Sequence, residues 1–208
     1  MDIVSLILLI PVLLISLSFH EYMHGRVSYM LGDPTPKIMG RLTLNPLRHL
    51  DLVGSLVLII TRRIGWAKPV PINPRYYKNP RQGMMYVGLA GPGANVFLAL
   101  CFSFFLKVFY IGANNMINIV PMKFLELLGN FLYLAVIINL SLAVFNLLPF
   151  PPLDGSKILM GFLPPRFDKY FYKLEGPVGM VIIMLLAFTG VLGMIIFPIV
   201  NFLSNFLI

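Results

Sequence analysis

Apolar positions along this chain run in long unbroken stretches, without the one-faced or alternating patterns of soluble helices and strands. Four stretches, at residues 3 to about 30, 83 to about 110, 124 to about 148 and 177 to about 207, reach the roughly 20 residues that a helix needs to cross a hydrocarbon core. They predict four spanning helices. Between the first two lies Leu52-Val53-Gly54-Ser55-Leu56-Val57-Leu58-Ile59-Ile60, which is too short to cross as a helix and is expected to enter the membrane and return on the same side. Flanking it, residues 40–44 and 65–72 alternate like strands, but Pro69 and Pro71 interrupt the second. Proline cannot donate to a ladder, so at most an edge strand is expected there. The predicted architecture is an all-α polytopic membrane protein of about four full transmembrane helices. Re-entrant or short membrane elements and a small cytoplasmic-side β element complete one domain over residues 1–208.

Composition agrees with this pattern. Of 208 residues, 58% are hydrophobic and 12% charged, against roughly 25% charged in soluble domains. The net charge of +8 would suit a nucleic-acid binder, but the basic residues sit in particular loops, which excludes nucleic acid as the expected partner. Arg26, Lys37, Arg41 and Arg48 follow the first stretch; Arg62, Arg63, Lys68, Arg75, Lys78 and Arg81 precede the second; Arg166, Lys169 and Lys173 precede the last. Residues 111–122 carry none. By the positive-inside rule the N-terminus and the 111–122 connection lie outside, and the far end of the first helix lies on the cytoplasmic side. The first stretch lacks the positive n-region and small-residue cleavage site of a signal peptide, so it is expected to be retained. A single cysteine, Cys101, excludes both an intramolecular disulfide and a cysteine metal cluster. Residues 164–175, with Phe167, Tyr170, Phe171 and Tyr172, fit an interfacial aromatic belt.

One feature of the first stretch resists a purely structural account. His20-Glu21-Tyr22-Met23-His24-Gly25 places ionisable groups where insertion costs roughly 2.5–3.5 kcal/mol each at a helix centre. Residues four apart share a helix face, so Ser16, His20, His24 and Ser28 form one stripe. Two neutral imidazoles at that spacing can hold one zinc ion, and the glutamate beside the first can take a proton from the attacking water. From Ile3 to His20 the axis runs about 26 Å, against a core of about 30 Å, so the cluster falls just inside the cytoplasmic boundary.

A catalytic zinc site usually has three protein ligands. Asp154 is a candidate for the third, in Asn146-Leu147-Leu148-Pro149-Phe150-Pro151-Pro152-Leu153-Asp154-Gly155, where the prolines end the preceding helix and hold the chain extended. The same aspartate could instead cap a short helix running to Leu163. His49 and Asp51 compete as ligands, although their cationic, proline-containing loop favours local turn contacts.

Together with Gly91-Pro92-Gly93-Ala94-Asn95, Asn45-Pro46-Leu47-Arg48-His49 and Gly65-Trp66-Ala67-Lys68-Pro69-Val70, these two motifs resemble the site-2 protease family of intramembrane zinc metalloproteases. The resemblance is to its small prokaryotic members without PDZ or CBS domains. It implies His20, His24 and Asp154 as Zn2+ ligands, Glu21 as catalytic base, Asn146 as a supporting group near the scissile peptide, and a re-entrant segment between the first two core spans. It further implies a multi-pass cell-membrane protease whose partners are the lipid bilayer and a transmembrane protein or peptide substrate. Such a substrate would be locally unwound and paired with residues 40–44 or 65–72. For Asn95, helix packing is the expected role. The alternatives are a metal or proton transporter, which usually shows repeated halves absent here, and a non-catalytic relative.

Overall fold

The computed structural model describes residues 3–61, 65–116 and 120–208. Helix α1 (Ile3–Met30) is followed by the short α2 (Thr35–Ile38), then α3 (Leu52–Thr61), α4 (Pro80–Met116) and α5 (Met122–Leu147). The second half contains α6 (Asp154–Phe162), α7 (Asp168–Leu174), α8 (Pro177–Phe188) and α9 (Val191–Leu207). Among the described residues three helices are long and apolar enough to cross a membrane, at Ile7–Met30, Pro80–Ala113 and Met122–Leu147. The chain is therefore a polytopic all-α membrane protein. Its lipid-facing character is plain on α4, where Phe97, Phe104 and Phe105 stand exposed.

Helix α4 packs between α1 and α5, and α9 lies against α5. Ala99, Val136, Leu140, Val144 and Val200 form the buried seam of α4, α5 and α9. A second cluster of Leu153, Ile183 and Leu192 packs against Phe145, Leu148 and Phe150. It seats the proline-rich segment after α5 on α8 and α9. Arg81 of α4 pairs with Asp168 of α7 at 3.1 Å and also donates to Leu163 O. The segment between α6 and α7 is thereby tied to the start of α4.

Two expectations change. The stretch at 177–207 is not one helix: α8 stops at Phe188, and Gly190 takes φ +82° before α9 begins. A left-handed residue just past a helix C-terminus favours glycine. A glycine inside an apolar run gives no warning of this, because glycine is also common within spanning helices. The preceding pair, Pro165–Leu174 and Pro177–Phe188, is bent by 69°, so α7 runs off the line of α8.

The β element also shrinks. Among the described residues there is no strand, only an isolated antiparallel bridge between Leu50 and Ala67, beside which Lys68 N–H donates to His49 O at 2.8 Å. Residues 40–44 form turn and irregular backbone. The prolines explain the second segment: Pro69 and Pro71 remove alternate ladder donors. Leu52 to Ile60 does form a helix, α3, capped by Asp51 Oδ1 accepting from Gly54 N–H at 2.8 Å. At about 15 Å it is half the length of a hydrocarbon core.

Candidate metal centre

The Ser16, His20, His24 and Ser28 stripe is buried throughout, and its histidines face α4 and the start of α6. Helix α6 begins at Asp154, whose carboxylate caps nothing. It turns instead toward the histidines: Asp154 Oδ2 lies 3.2 Å from His20 Nε2 and 3.1 Å from His24 Nε2. The two Nε2 atoms are 2.9 Å apart. Thus a proline-rich segment some 130 residues downstream in the sequence brings the third group to the first two. Space for this comes from Gly155, since a Cβ there would strike the carbonyl oxygens of Leu147 and Leu148 at the end of α5.

The outer nitrogens of both rings are committed. His20 Nδ1 meets Asn95 Oδ1 at 2.6 Å, and His24 Nδ1 meets Val87 O at 2.7 Å. Both partners are oxygens that accept and cannot donate, so in the neutral rings the protons sit on Nδ1 and leave the two Nε2 lone pairs unprotonated. Two nitrogen lone pairs and a carboxylate oxygen then converge on one buried point. Three lone pairs so close repel one another, and a shared cation that accepts all three would offset that repulsion. The spacings are close to the roughly 3.3 Å edge of a tetrahedron with zinc–nitrogen bonds of about 2.0–2.1 Å. The donor set fits zinc, and His20, His24 and Asp154 can offer one ligand atom each.

Around this point the chain is closely built. A Cβ on Gly91 of α4 would lie 2.5 Å from His20 Nε2 and closer still to His24 Nε2, so the helix backbone itself forms one wall. The other carboxylate oxygen, Asp154 Oδ1, accepts from Lys157 Nζ at 2.9 Å. Glu21 lies beside His20 in sequence, and its Oε2 accepts the Val70 N–H at 2.8 Å.

The remaining candidates fall elsewhere. His49 is buried in its own loop with Nε2 donating to Thr43 O at 2.8 Å, and Asp51 caps α3, so both make the local contacts expected of them. Asn146, in the last turn of α5, donates to Leu142 O at 2.9 Å. Among the described residues no contact joins it to the His-His-Asp group. Asn95, expected only to pack helices, contacts a ring of that group directly. Asn139, which donates to Ala135 O and accepts from Asn95 Nδ2 at 3.0 Å, stands behind it. The signal for both was a carboxamide in the middle of an apolar helix, where polar side chains are seldom idle.

Apolar helices enclosing a buried His-His-Asp donor set define a multi-pass membrane protein with a candidate metal centre. Residues 8–189 match the model of Peptidase family M50, and the chain belongs to that family, the site-2 protease family. It is 36% identical over 193 residues to the Bacillus subtilis protein named "Putative zinc metalloprotease YwhC", covering 93% of this chain and 85% of that one. Similarity extends to "Putative zinc metalloprotease Rip2" of Mycolicibacterium smegmatis, 29% identical with 96% and 74% of the two chains covered. "Zinc metalloprotease MJ0392" of Methanocaldococcus jannaschii is 29% identical over 56% of this chain and 31% of its own length. No solved structure matches.

Proposed function

We propose that the chain is a zinc-dependent intramembrane endopeptidase, one catalytic domain over residues 1–208. It hydrolyses a peptide bond within or next to a transmembrane segment of another membrane protein. The observation that carries this is the convergence of His20 Nε2, His24 Nε2 and Asp154 Oδ2 within 3.2 Å of one another, with a glutamate next to the first ligand in sequence. Family membership and the relatives' names support zinc as the ion.

His20, His24 and Asp154 would hold the zinc, which would supply Lewis acidity toward the scissile carbonyl and lower the pKa of the attacking water toward neutrality. Glu21 takes the proton of the attacking water as the new carbon–oxygen bond forms. It then delivers that proton to the leaving amine as the carbon–nitrogen bond breaks. Asn146, at the end of α5, would turn from Leu142 O toward the substrate and donate to its carbonyl oxygen.

A helical substrate must expose the target amide by local unwinding, and the freed groups need partners. Over 69–71 the segment that follows α3 has no N–H to give: Pro69 and Pro71 lack one and Val70 spends its own on Glu21. A substrate strand there would donate to its carbonyls. The basic loops at the end of the bundle that carries the metal centre support a cytoplasmic-side location for that end in the cell membrane.

The test is to purify the chain in detergent, measure bound zinc and assay single-span substrates. Glu21→Gln is expected to keep zinc and lose cleavage, and Asp154→Ala to lose zinc. Unaltered cleavage by Glu21→Gln would overturn the mechanism. Full zinc stoichiometry in Asp154→Ala would overturn the ligand assignment.

A further inference from the structure

The orientation of His20 depends on two carboxamides in two other helices. Asn139 lies in α5, Asn95 in α4 and His20 in α1, and all three are buried. The order of donors along them has one consistent solution. Ala135 O is a carbonyl and can only accept, so the group that Asn139 turns toward it at 2.8 Å is Nδ2. That leaves Asn139 Oδ1 facing Asn95, which must answer with its own Nδ2, at 3.0 Å. Asn95 Nδ2 also points toward Ser16 O at 3.5 Å, again an acceptor. Asn95 Oδ1 is therefore the atom 2.6 Å from His20 Nδ1, and an oxygen there requires the ring proton on Nδ1.

We propose that Asn139 and Asn95 form a polarised relay that fixes the tautomer of His20, so that Nε2 faces the metal centre as a lone pair. Both are positioning residues: Asn95 acts through His20, and Asn139 acts through Asn95 without touching the site. The inference rests on the metal-centre reading, because an open Nε2 matters only if a cation is bound there. A carboxamide can rotate by half a turn and exchange its donor and acceptor at almost no cost in shape. Without Asn139, nothing but the long contact to Ser16 O would keep Asn95 from presenting Nδ2 to the ring. His20 would then accept at Nδ1 and carry its proton on Nε2, where it blocks a ligand bond. His24 has no such dependence, since Val87 O is a backbone carbonyl that cannot turn over. Outer partners of metal-bound histidines typically contribute about 10–100-fold in metal affinity.

The experiment uses the full chain in detergent with two readouts. The first is zinc affinity, by competition with a chelator, for the parent, Asn95→Ala, Asn139→Ala and the double variant. Each single change is expected to weaken zinc binding about 10–100-fold, and the double variant to bind no more weakly than Asn95→Ala alone. The second is the His20 tautomer, read from ring 15N shifts in zinc-free protein. The Nδ1–H form is expected in the parent and a mixture of both forms in Asn139→Ala. Asn139→Asp tests the relay without emptying the site. As a neutral acid it can donate to Ala135 O and accept from Asn95, and it is expected to keep the parent tautomer and affinity. A parental tautomer and zinc affinity in Asn139→Ala would overturn the relay, and so would losses that multiply in the double variant. A parent that shows the Nδ1–H form and the predicted change in Asn139→Ala, yet binds no zinc, would overturn the metal reading and leave the relay standing.

Discussion

The backbone N–H of Val70 donates to Glu21 Oε2 at 2.8 Å. This joins the candidate catalytic base to a segment 49 residues away in the sequence. The segment is itself anchored, since Arg41 Nη2 donates to Lys68 O at 2.6 Å. Bonding to one carboxylate oxygen fixes the rotamer while leaving the other free to handle a proton. Only proline at this position removes the donor. Val70→Pro is expected to lower kcat about 10–100-fold, the equivalent of the roughly 1.5–3 kcal/mol carried by a hydrogen bond to a charged group, with zinc content unchanged. Val70→Ala keeps the N–H and should stay within a few-fold of the parent. Steady-state cleavage rates beside metal analysis separate the two.

Gly91 makes a sharper prediction, because its missing side chain is the space that the ligand nitrogens occupy. A Cβ at that position would overlap His20 Nε2 and His24 Nε2, and both are held from behind by Asn95 and Val87 O. Alanine favours the helix by roughly 1 kcal/mol over glycine, which offsets part of the roughly 1–3 kcal/mol that overpacking costs. Gly91→Ala is expected to stay helical and monodisperse while losing zinc by at least about 100-fold, well beyond the effect of an outer partner. Equilibrium zinc binding with circular dichroism checks this.

Much of this centre was legible in the linear sequence because its chemistry is local. His20, Glu21 and His24 lie within about one and a half helical turns, and helix geometry alone aligns the two imidazoles. Asp154 was legible as an odd acid after three prolines, but its choice between capping and ligation depends on which way one side chain turns at the start of α6. Asn95, Asn139 and Gly91 were not read for what they do. Their roles exist only once α4 is laid between α1 and α5, and no periodicity encodes that juxtaposition. The same holds for the spans. Hydropathy marks an apolar run at 177–207, whereas the break at Gly190 is a matter of one backbone angle.

Lys157 separates the metal-free and metal-bound states. Its Nζ lies 2.9 Å from Asp154 Oδ1, so in the absence of a cation it is the partner that offsets a buried carboxylate's charge. With zinc bound, that carboxylate would have a second source of compensation. Lys157→Met is therefore expected to destabilise the metal-free protein more than the zinc-loaded one, by roughly 1–3 kcal/mol. Thermal unfolding in detergent with zinc and with a chelator measures the difference. Equal losses in both states would remove Lys157 from any role at the centre.

Below the metal centre the end of α1 is held by a different acid. Asp33 is buried in the turn after Met30. It accepts from Ser28 Oγ at 2.8 Å, Thr35 N–H at 2.9 Å and Asn73 N–H at 2.8 Å. Ser28 spends its hydrogen on Asp33, so the Tyr77 hydroxyl donates to Ser28, at 2.7 Å. Burial, with the Asp33 charge beside it, pushes that phenol up to about 12, which keeps it a donor through neutral pH. Burial would also raise Asp33, but the N–H of Asn73, with Thr35 and Ser28, outweighs it and holds the carboxyl below its ordinary value of 3.8. A depressed folded value means that the unfolded chain binds the proton first. The contribution is then complete above about pH 5, declines as pH falls past 3.8, and is gone below the folded value. Asp33→Asn is expected to cost roughly 1–3 kcal/mol at pH 7 and to flatten this acid limb. Unfolding followed from pH 3 to pH 7 in parent and variant tests both. Because Asn73 lies three residues beyond Val70, the variant should also loosen the segment that holds Glu21 and lower cleavage before zinc is lost.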